Sequence, residues 1–302
     1  MSQPVTIEND ALRIQVWPTY GGKVSSIVDK ADRFELLFNY PVELPTTSHY
    51  DIAYSSGWYA GWDECFPAIA PGKYPGHPYD GIPIPDHGEL WGIPTVAVPT
   101  KDGITTVWHG LRMGYRLARK LYLDGAGLTA EYKLVNLAPF DLHFVWAAHA
   151  LMNWGAGDGE IDLGGAMPCR LSHDADGAES GATFTWPTHG GDDFSRVGAL
   201  EPKRGWKLYT EQAIDRPAVI RYPSRGRQIS VAFASEDGVS AYWGVWINTG
   251  GWAGHRHFAI EPTTARYDAL DRSVRDSSAG RLMGLGSGSW VTSWTLGPIP
   301  SV

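Results

Sequence analysis

Leu12-Arg13-Ile14-Gln15-Val16-Trp17, Pro18-Thr19-Tyr20-Gly21-Gly22 and Lys23-Val24-Ser25-Ser26-Ile27-Val28 follow one another near the start of the chain. In the first segment Leu12, Ile14 and Val16 alternate with Arg13, Gln15 and Trp17. That period of two belongs to a strand with one buried face. Pro18 to Gly22 reads as a turn, and the third segment as the returning strand. The same signature recurs in Thr95–Val98, Thr105–His109, Tyr115–Leu123, Leu128–Asn136 and His143–Leu151. It returns in Ala218–Tyr222, Ile229–Ala234, Tyr242–Asn248, His257–Glu261 and Trp290–Leu296. Gly125 and Gly127 place a hairpin turn between two of these strands. Helical periodicity is nearly absent, and only Arg266–Arg275 reads as a short helix. The pattern predicts an all-β chain, a large antiparallel β-sandwich in which residues 1–302 form a single domain. Residues 40–94 and 155–215 read as long loops rich in turn formers. The first is expected to lie over one concave face, where loops on a rigid scaffold carry function.

The bulk composition agrees with a packed β fold. Apolar residues make up 43% of the 302 and charged residues 19%, enough for a sizeable core. The 36 Gly and 21 Pro are spread along the chain as punctuation rather than gathered in a linker. Net charge is −8 with no basic stripe, which argues against a nucleic-acid partner. No stretch is long and apolar enough for a membrane helix, and no basic start precedes an apolar run, so no signal peptide is expected. Cys65 and Cys169 are too few for a disulfide framework, although one bridge stays open. The expectation is a soluble cytoplasmic protein, with a homodimer allowed.

Three polar stretches could carry chemistry. The first is Gly61-Trp62-Asp63-Glu64-Cys65-Phe66-Pro67 with Pro85-Asp86-His87-Gly88-Glu89-Leu90-Trp91. Its acids either meet a ligand or cap turns. The second is the strand from His143 to Trp154, where alternation puts His143, Ala147, His149 and Asn153 on one face. A histidine in such company is either a catalyst or a satisfied core residue. The third is His255-Arg256-His257-Phe258-Ala259-Ile260-Glu261-Pro262, with His255, His257 and Glu261 on one face and Phe258 and Ile260 toward the core. A carboxylate at the end of an apolar strand suits a general base, unless it is paired with Arg256 or Arg266. The spacing His-x-His-x-x-x-Glu also resembles the first metal-binding motif of the cupins, but the flanking glycines are out of place and no second motif follows.

Taken in order along the chain, these elements resemble the aldose 1-epimerase (galactose mutarotase-like) superfamily. The resemblance rests on Gly21–Ile27, on Gly61–Pro67, and on the Pro-x-His-Gly element Pro85-Asp86-His87-Gly88. It continues in Ala148-His149-Ala150-Leu151-Met152-Asn153, in Phe258-Ala259-Ile260-Glu261-Pro262-Thr263, and in the closing Gly286-Ser287-Gly288-Ser289-Trp290-Val291-Thr292-Ser293-Trp294. After His87-Gly88 stands Glu89-Leu90-Trp91, where the hexose-6-phosphate epimerase branch has Ala-Arg. The missing arginine argues against a phosphorylated sugar. Trp62-Asp63-Glu64 differs from the Asn-Arg of the galactose mutarotase branch, which leaves free, acidic and sulfonated aldoses all open.

The resemblance implies a galactose mutarotase-like supersandwich that interconverts the α and β anomers of an aldose. It assigns Glu261 as the base that takes the O1 proton and His149 as the acid at the ring oxygen, with His87 sharing the acid role. Asp63, Glu64, Asn248 and His257 are candidates for sugar hydroxyls. Trp62, Trp91 and Trp154 are candidates for the apolar face of the sugar. No metal and no organic cofactor is implied. Two rivals stand beside this reading: a non-catalytic carbohydrate-binding protein on the same fold, and a metal-dependent cupin-like isomerase using His255, His257 and Glu261.

Overall fold

Alternating apolar residues force strands to pair face to face, and that is the architecture found. The computed structural model describes residues 3–42, 49–101, 103–173, 178–235 and 239–300. Among them, one sheet of twelve strands and one of eight pack against each other, nearly all pairs antiparallel. The opening stretch folds as read: Leu12–Trp17 pairs with Lys23–Asp29 across a short 3-10 turn at Pro18–Tyr20. Leu12, Ile14, Val16 and Val24 are fully buried between the sheets. Aromatic side chains join the two sheets: Trp62 meets Trp294 at 5.2 Å between ring centroids, and Trp146 meets Tyr132 at 4.6 Å. Such rings bury large apolar areas and dominate core energetics.

Two long spans read as loops contain strands. Within residues 40–94, Trp62–Cys65 is a strand in the middle of the larger sheet, between Lys23–Asp29 and Ala147–Ala150. Part of that span, residues 43–48, lies outside the described residues. Within residues 155–215, Pro168–His173 and Gly205–Thr210 extend the same sheet. These strands were hidden because Trp62–Cys65 and Lys207–Thr210 are buried on both faces, so no polar alternation marks them. The expected strand His143–Leu151 is instead two pieces, Leu142–Phe144 paired with Gly280–Leu282, and Ala147–Ala150 in the larger sheet. His143 and His149 therefore belong to different sheets. The one α-helix among the described residues is Leu270–Arg275, inside the segment expected to be helical. Among the described residues no helix is long and apolar enough to cross a membrane.

Five neighbouring strands of the larger sheet build the site. Their order is Trp62–Cys65, Ala147–Ala150, Arg256–Thr263, Tyr242–Thr249 and Gly205–Thr210. Phe258 and Ile260 point between the sheets, as the alternation required, and His257 and Glu261 point to the opposite, concave face.

Candidate active site

The concave face holds a cavity of about 370 Å³. His87, His149, His257 and Lys207 line it, with Trp246 and Trp252 as its aromatic wall. Glu261 lies under this lining, fully buried.

Register explains how these side chains meet. His149 sits opposite Asp63 on one side, and Ala147 sits opposite Thr263 on the other. Two residues further along, the same antiparallel register brings His149 beside Glu261, with Nε2 3.7 Å from Oε1. On its far side Glu261 pairs with Gly244, and Gly244 pairs with Tyr209. A Cβ at Gly244 would lie 3.3 Å from Glu261 Oε2. The missing side chain leaves room for Lys207 to reach over that strand and place Nζ 2.5 Å from Oε2. Lys207 also stands 3.7 Å from Asp268 Oδ1. Glu261 thus has one oxygen bound by an ammonium, while Oε1 has no hydrogen-bond partner among the described residues. Burial pushes the Glu261 carboxyl above its ordinary range, and Lys207 opposes that shift.

His87 reaches the cavity from a strained turn. Its φ is +60°, in the left-handed region that non-glycine residues rarely enter. Gly88 follows at φ +75°, packed so closely that a Cβ would lie 2.1 Å from Phe66 O. The His87 N–H donates to Ile69 O and the Glu89 N–H to Phe66 O, which pins the turn. Nδ1 of His87 stands 2.9 Å from Asp86 Oδ1. Burial works to raise the Asp86 carboxyl, but hydrogen bonds from His87 and the Tyr54 N–H outweigh it and hold it below its usual value.

Tyr54 ties the two histidines together. Its ring stacks on His87 with centroids 3.7 Å apart, and its hydroxyl lies 3.2 Å from His149 Nδ1. The same hydroxyl donates to Asp63 Oδ2 at 3.1 Å, and Lys23 Nζ pairs with that oxygen. Burial is the main cause that holds the His149 imidazole well below its usual pKa, reinforced by His87 and Lys207. His257 accepts a hydrogen bond from Trp246 Nε1 at 3.1 Å, and its buried Nδ1 has no partner among the described residues. Burial lowers its pKa to about 3.

His87, His149 and Glu261 converge, and His257 joins them, but several expected contacts are corrected by position. Trp62 packs between the sheets against Trp294 and cannot face a sugar. Glu64 also points between the sheets, where Arg119 Nη1, Tyr132 OH and Trp146 Nε1 all donate to it. One residue of alternation separates it from Asp63, which lies behind the cavity bound to Lys23 and Tyr54. Trp91 is buried edge-on against Tyr54 and donates to Asp86 O, a support rather than a wall. Trp154 packs near Phe258, on the other side of the sheet. Asn248 spends its side chain on its own loop: Oδ1 accepts from the Gly250 and Trp252 N–H groups and Nδ2 donates to Trp252 O. It shapes the loop that carries Trp252 and is not free for a hydroxyl.

Tyr54, Lys207, Trp246, Trp252 and Asp268 are site residues that the sequence reading missed. Trp246 alone carried a signal, since alternation within Tyr242–Asn248 put it on the face opposite Val245 and Ile247. The cupin-like set does not assemble. The His255 ring stacks on Tyr40 and His257 is engaged by Trp246. Among the described residues no three His, Cys, Asp or Glu side chains are grouped to hold a metal ion.

No family model matches the sequence, and no curated protein is similar to it at sequence level. Solved structures do match. A galactose mutarotase-like protein from Lactobacillus casei ATCC 334 superposes with a TM-score of 0.71 at 16% identity, over 98% of this chain and 100% of that one. One from Clostridium acetobutylicum gives 0.71 at 15% identity, over 98% and 95%. Galactose 1-epimerase from Lactobacillus acidophilus NCFM gives 0.60 at 11% identity, over 98% and 94%. The chain has the galactose mutarotase-like fold.

Proposed function

We propose that the protein is an aldose 1-epimerase acting on an unphosphorylated sugar. A fold does not grant an activity. The observation that carries the reading is the fully buried Glu261, whose Oε1 has no partner among the described residues and stands 3.7 Å from His149 Nε2 beside the cavity that His87 also lines. Oε1 takes the proton from O1 of the cyclic sugar. The C1–O5 bond breaks, its electron pair goes to O5, and a histidine supplies the O5 proton. C1 rotates as the open aldehyde, and the reverse steps close the ring on the other face. Burial raises the Glu261 carboxyl toward neutrality, which suits a base that must take up a proton and return it. Trp246 and Trp252 suit the C–H face of the ring. Lys207 is the one Lys or Arg among the described lining residues, and Glu261 and Asp268 already hold it, which disfavours a phosphate.

The test is magnetisation-exchange NMR on equilibrated α and β anomers, run across neutral, acidic, sulfonated and phosphorylated aldoses. Acceleration of at least one unphosphorylated aldose is expected. Saturable sugar binding with no acceleration of any aldose would replace the enzyme reading with that of a carbohydrate-binding protein.

A further inference from the structure

The hydroxyl of Tyr54 has one proton and two neighbours, Asp63 Oδ2 at 3.1 Å and His149 Nδ1 at 3.2 Å. Asp63 is a buried carboxylate paired with Lys23, so it can only accept. Were Tyr54 to turn its proton toward His149, its oxygen would face the carboxylate at 3.1 Å with nothing between them. The Tyr54 proton therefore points to Asp63, and the tyrosine oxygen is left as an acceptor for His149. This fixes the imidazole. In the neutral ring one nitrogen carries the proton, and the partner of the other nitrogen decides which. Nδ1 must carry it here, and Nε2 is bare. Glu261 Oε1 does not compete for an Nε2 proton, because 3.7 Å is too long for a hydrogen bond.

We propose that Tyr54, backed by Asp63 and Lys23, is a positioning residue that keeps His149 as the Nδ1–H tautomer, so that His149 accepts a hydrogen bond from the substrate and His87 is the proton donor to the ring oxygen. This rests on the epimerase reading and redistributes its roles. His149 Nε2 and Glu261 Oε1 are then two bare acceptors beside the same cavity, and each takes its own donor: Oε1 the O1–H and Nε2 a second sugar hydroxyl. His87 differs because its Nδ1 partner is itself a carboxylate. Asp86 Oδ1 accepts from Nδ1 at 2.9 Å and is a counter-charge for the ring when both nitrogens carry protons, and Nε2–H is then the donor. The proton lost from Nε2 to O5 is regained on the reverse step, and Glu261 returns its own to O1, so the enzyme ends unchanged. Burial is the main cause that keeps His149 neutral, with His87, Lys207 and Lys23 acting in the same direction; Asp63 stands opposite it across the strand pair, and Tyr54 and Glu261 are its near neighbours.

Long-range proton–nitrogen correlation spectra of ¹⁵N-histidine-labelled full-length protein at pH 7 test this without substrate. His149 is identified by the signal missing from H149N. The expected wild-type pattern is a protonated Nδ1 and a bare Nε2, and in Tyr54→Phe the proton redistributes toward Nε2. An Nε2–H His149 in the wild type overturns the proposal, as does a Y54F spectrum identical to wild type. If Y54F does not fold, the wild-type pattern alone decides. On an aldose that responds, H87N should lose about 10²- to 10⁴-fold in kcat, and H149N less than H87N. The opposite order overturns the donor assignment. If no aldose responds, the epimerase reading and the donor assignment fall together, while the tautomer still stands or falls on the spectrum.

Discussion

Lys207 Nζ stands 2.5 Å from Glu261 Oε2, reaching over an intervening strand at the one position, Gly244, that has no side chain to block it. The contact makes the ionisation of the buried carboxyl depend on a residue more than fifty positions away in the chain. Burial raises the Glu261 pKa and Lys207 restrains the rise. A base works only when deprotonated, so activity should climb with pH through this raised value. Lys207→Met should move that acidic limb to higher pH, lowering kcat at pH 7 and restoring part of it at pH 9. A pH–rate profile that keeps its acidic limb in place would separate Lys207 from the base.

Glu261→Gln keeps the size of the side chain but removes the proton acceptor. Anomer interconversion should fall about 10²- to 10⁴-fold, the usual share of general base catalysis, with sugar binding preserved in a fluorescence titration. A chelator should leave the wild-type rate unchanged. A rate that survives the substitution and is lost to chelator would restore the metal reading of His255, His257 and Glu261.

Trp252 lies on a loop held by Asn248 and closes one side of the cavity beside Trp246. Trp252→Ala removes an aromatic face from a bound sugar. A weakening of roughly two- to tenfold in KM is expected, from about 0.5–1.5 kcal/mol of lost ring contact, with kcat much less affected. Steady-state kinetics on the preferred aldose would show the split.

His257 is buried neutral with its pKa lowered to about 3. In the unfolded chain it titrates at about 6.5. A depressed group contributes stability that is present above the unfolded value and lost as pH falls toward the folded one. Each unit is worth about 1.4 kcal/mol, so by pH 4 the loss from this residue is on the order of 3 kcal/mol. Thermal unfolding followed from pH 7 to pH 4 should show the decline, and His257→Gln should flatten it. An equally steep decline in the variant would assign acid sensitivity to other groups.

Arg119 Nη1 donates to Glu64 Oε1 at 2.8 Å with both side chains fully buried. Arg119→Met strands Glu64 between the sheets and should cost about 3–5 kcal/mol in urea unfolding, while leaving the folded protein's sugar affinity intact. Lost affinity at full stability would return Glu64 to the binding site.

The sequence by itself determined the β architecture and the inward alternation of Phe258 and Ile260. It also picked out His87, His149 and Glu261, because period-two alternation and turn residues act locally and short motifs are contiguous. It misplaced Trp62 and Glu64 because their strand is buried on both faces: Trp62 and Glu64 point between the sheets and Asp63 points behind the cavity, and no pattern of polarity tells which is which. Trp91 was expected to face the apolar side of a sugar and Asn248 its hydroxyls, from residue type and place in the chain, but the polar end of each is consumed by backbone partners that only the fold brings near. Lys207 and Tyr54 carried no local signal at all. Their roles arise from register across neighbouring strands, from the gap over Gly244, and from a loop folded back so that one hydroxyl meets Asp63 and His149 at once. Those are distances between remote parts of the chain, set by how the strands pair and not by which residues adjoin in sequence.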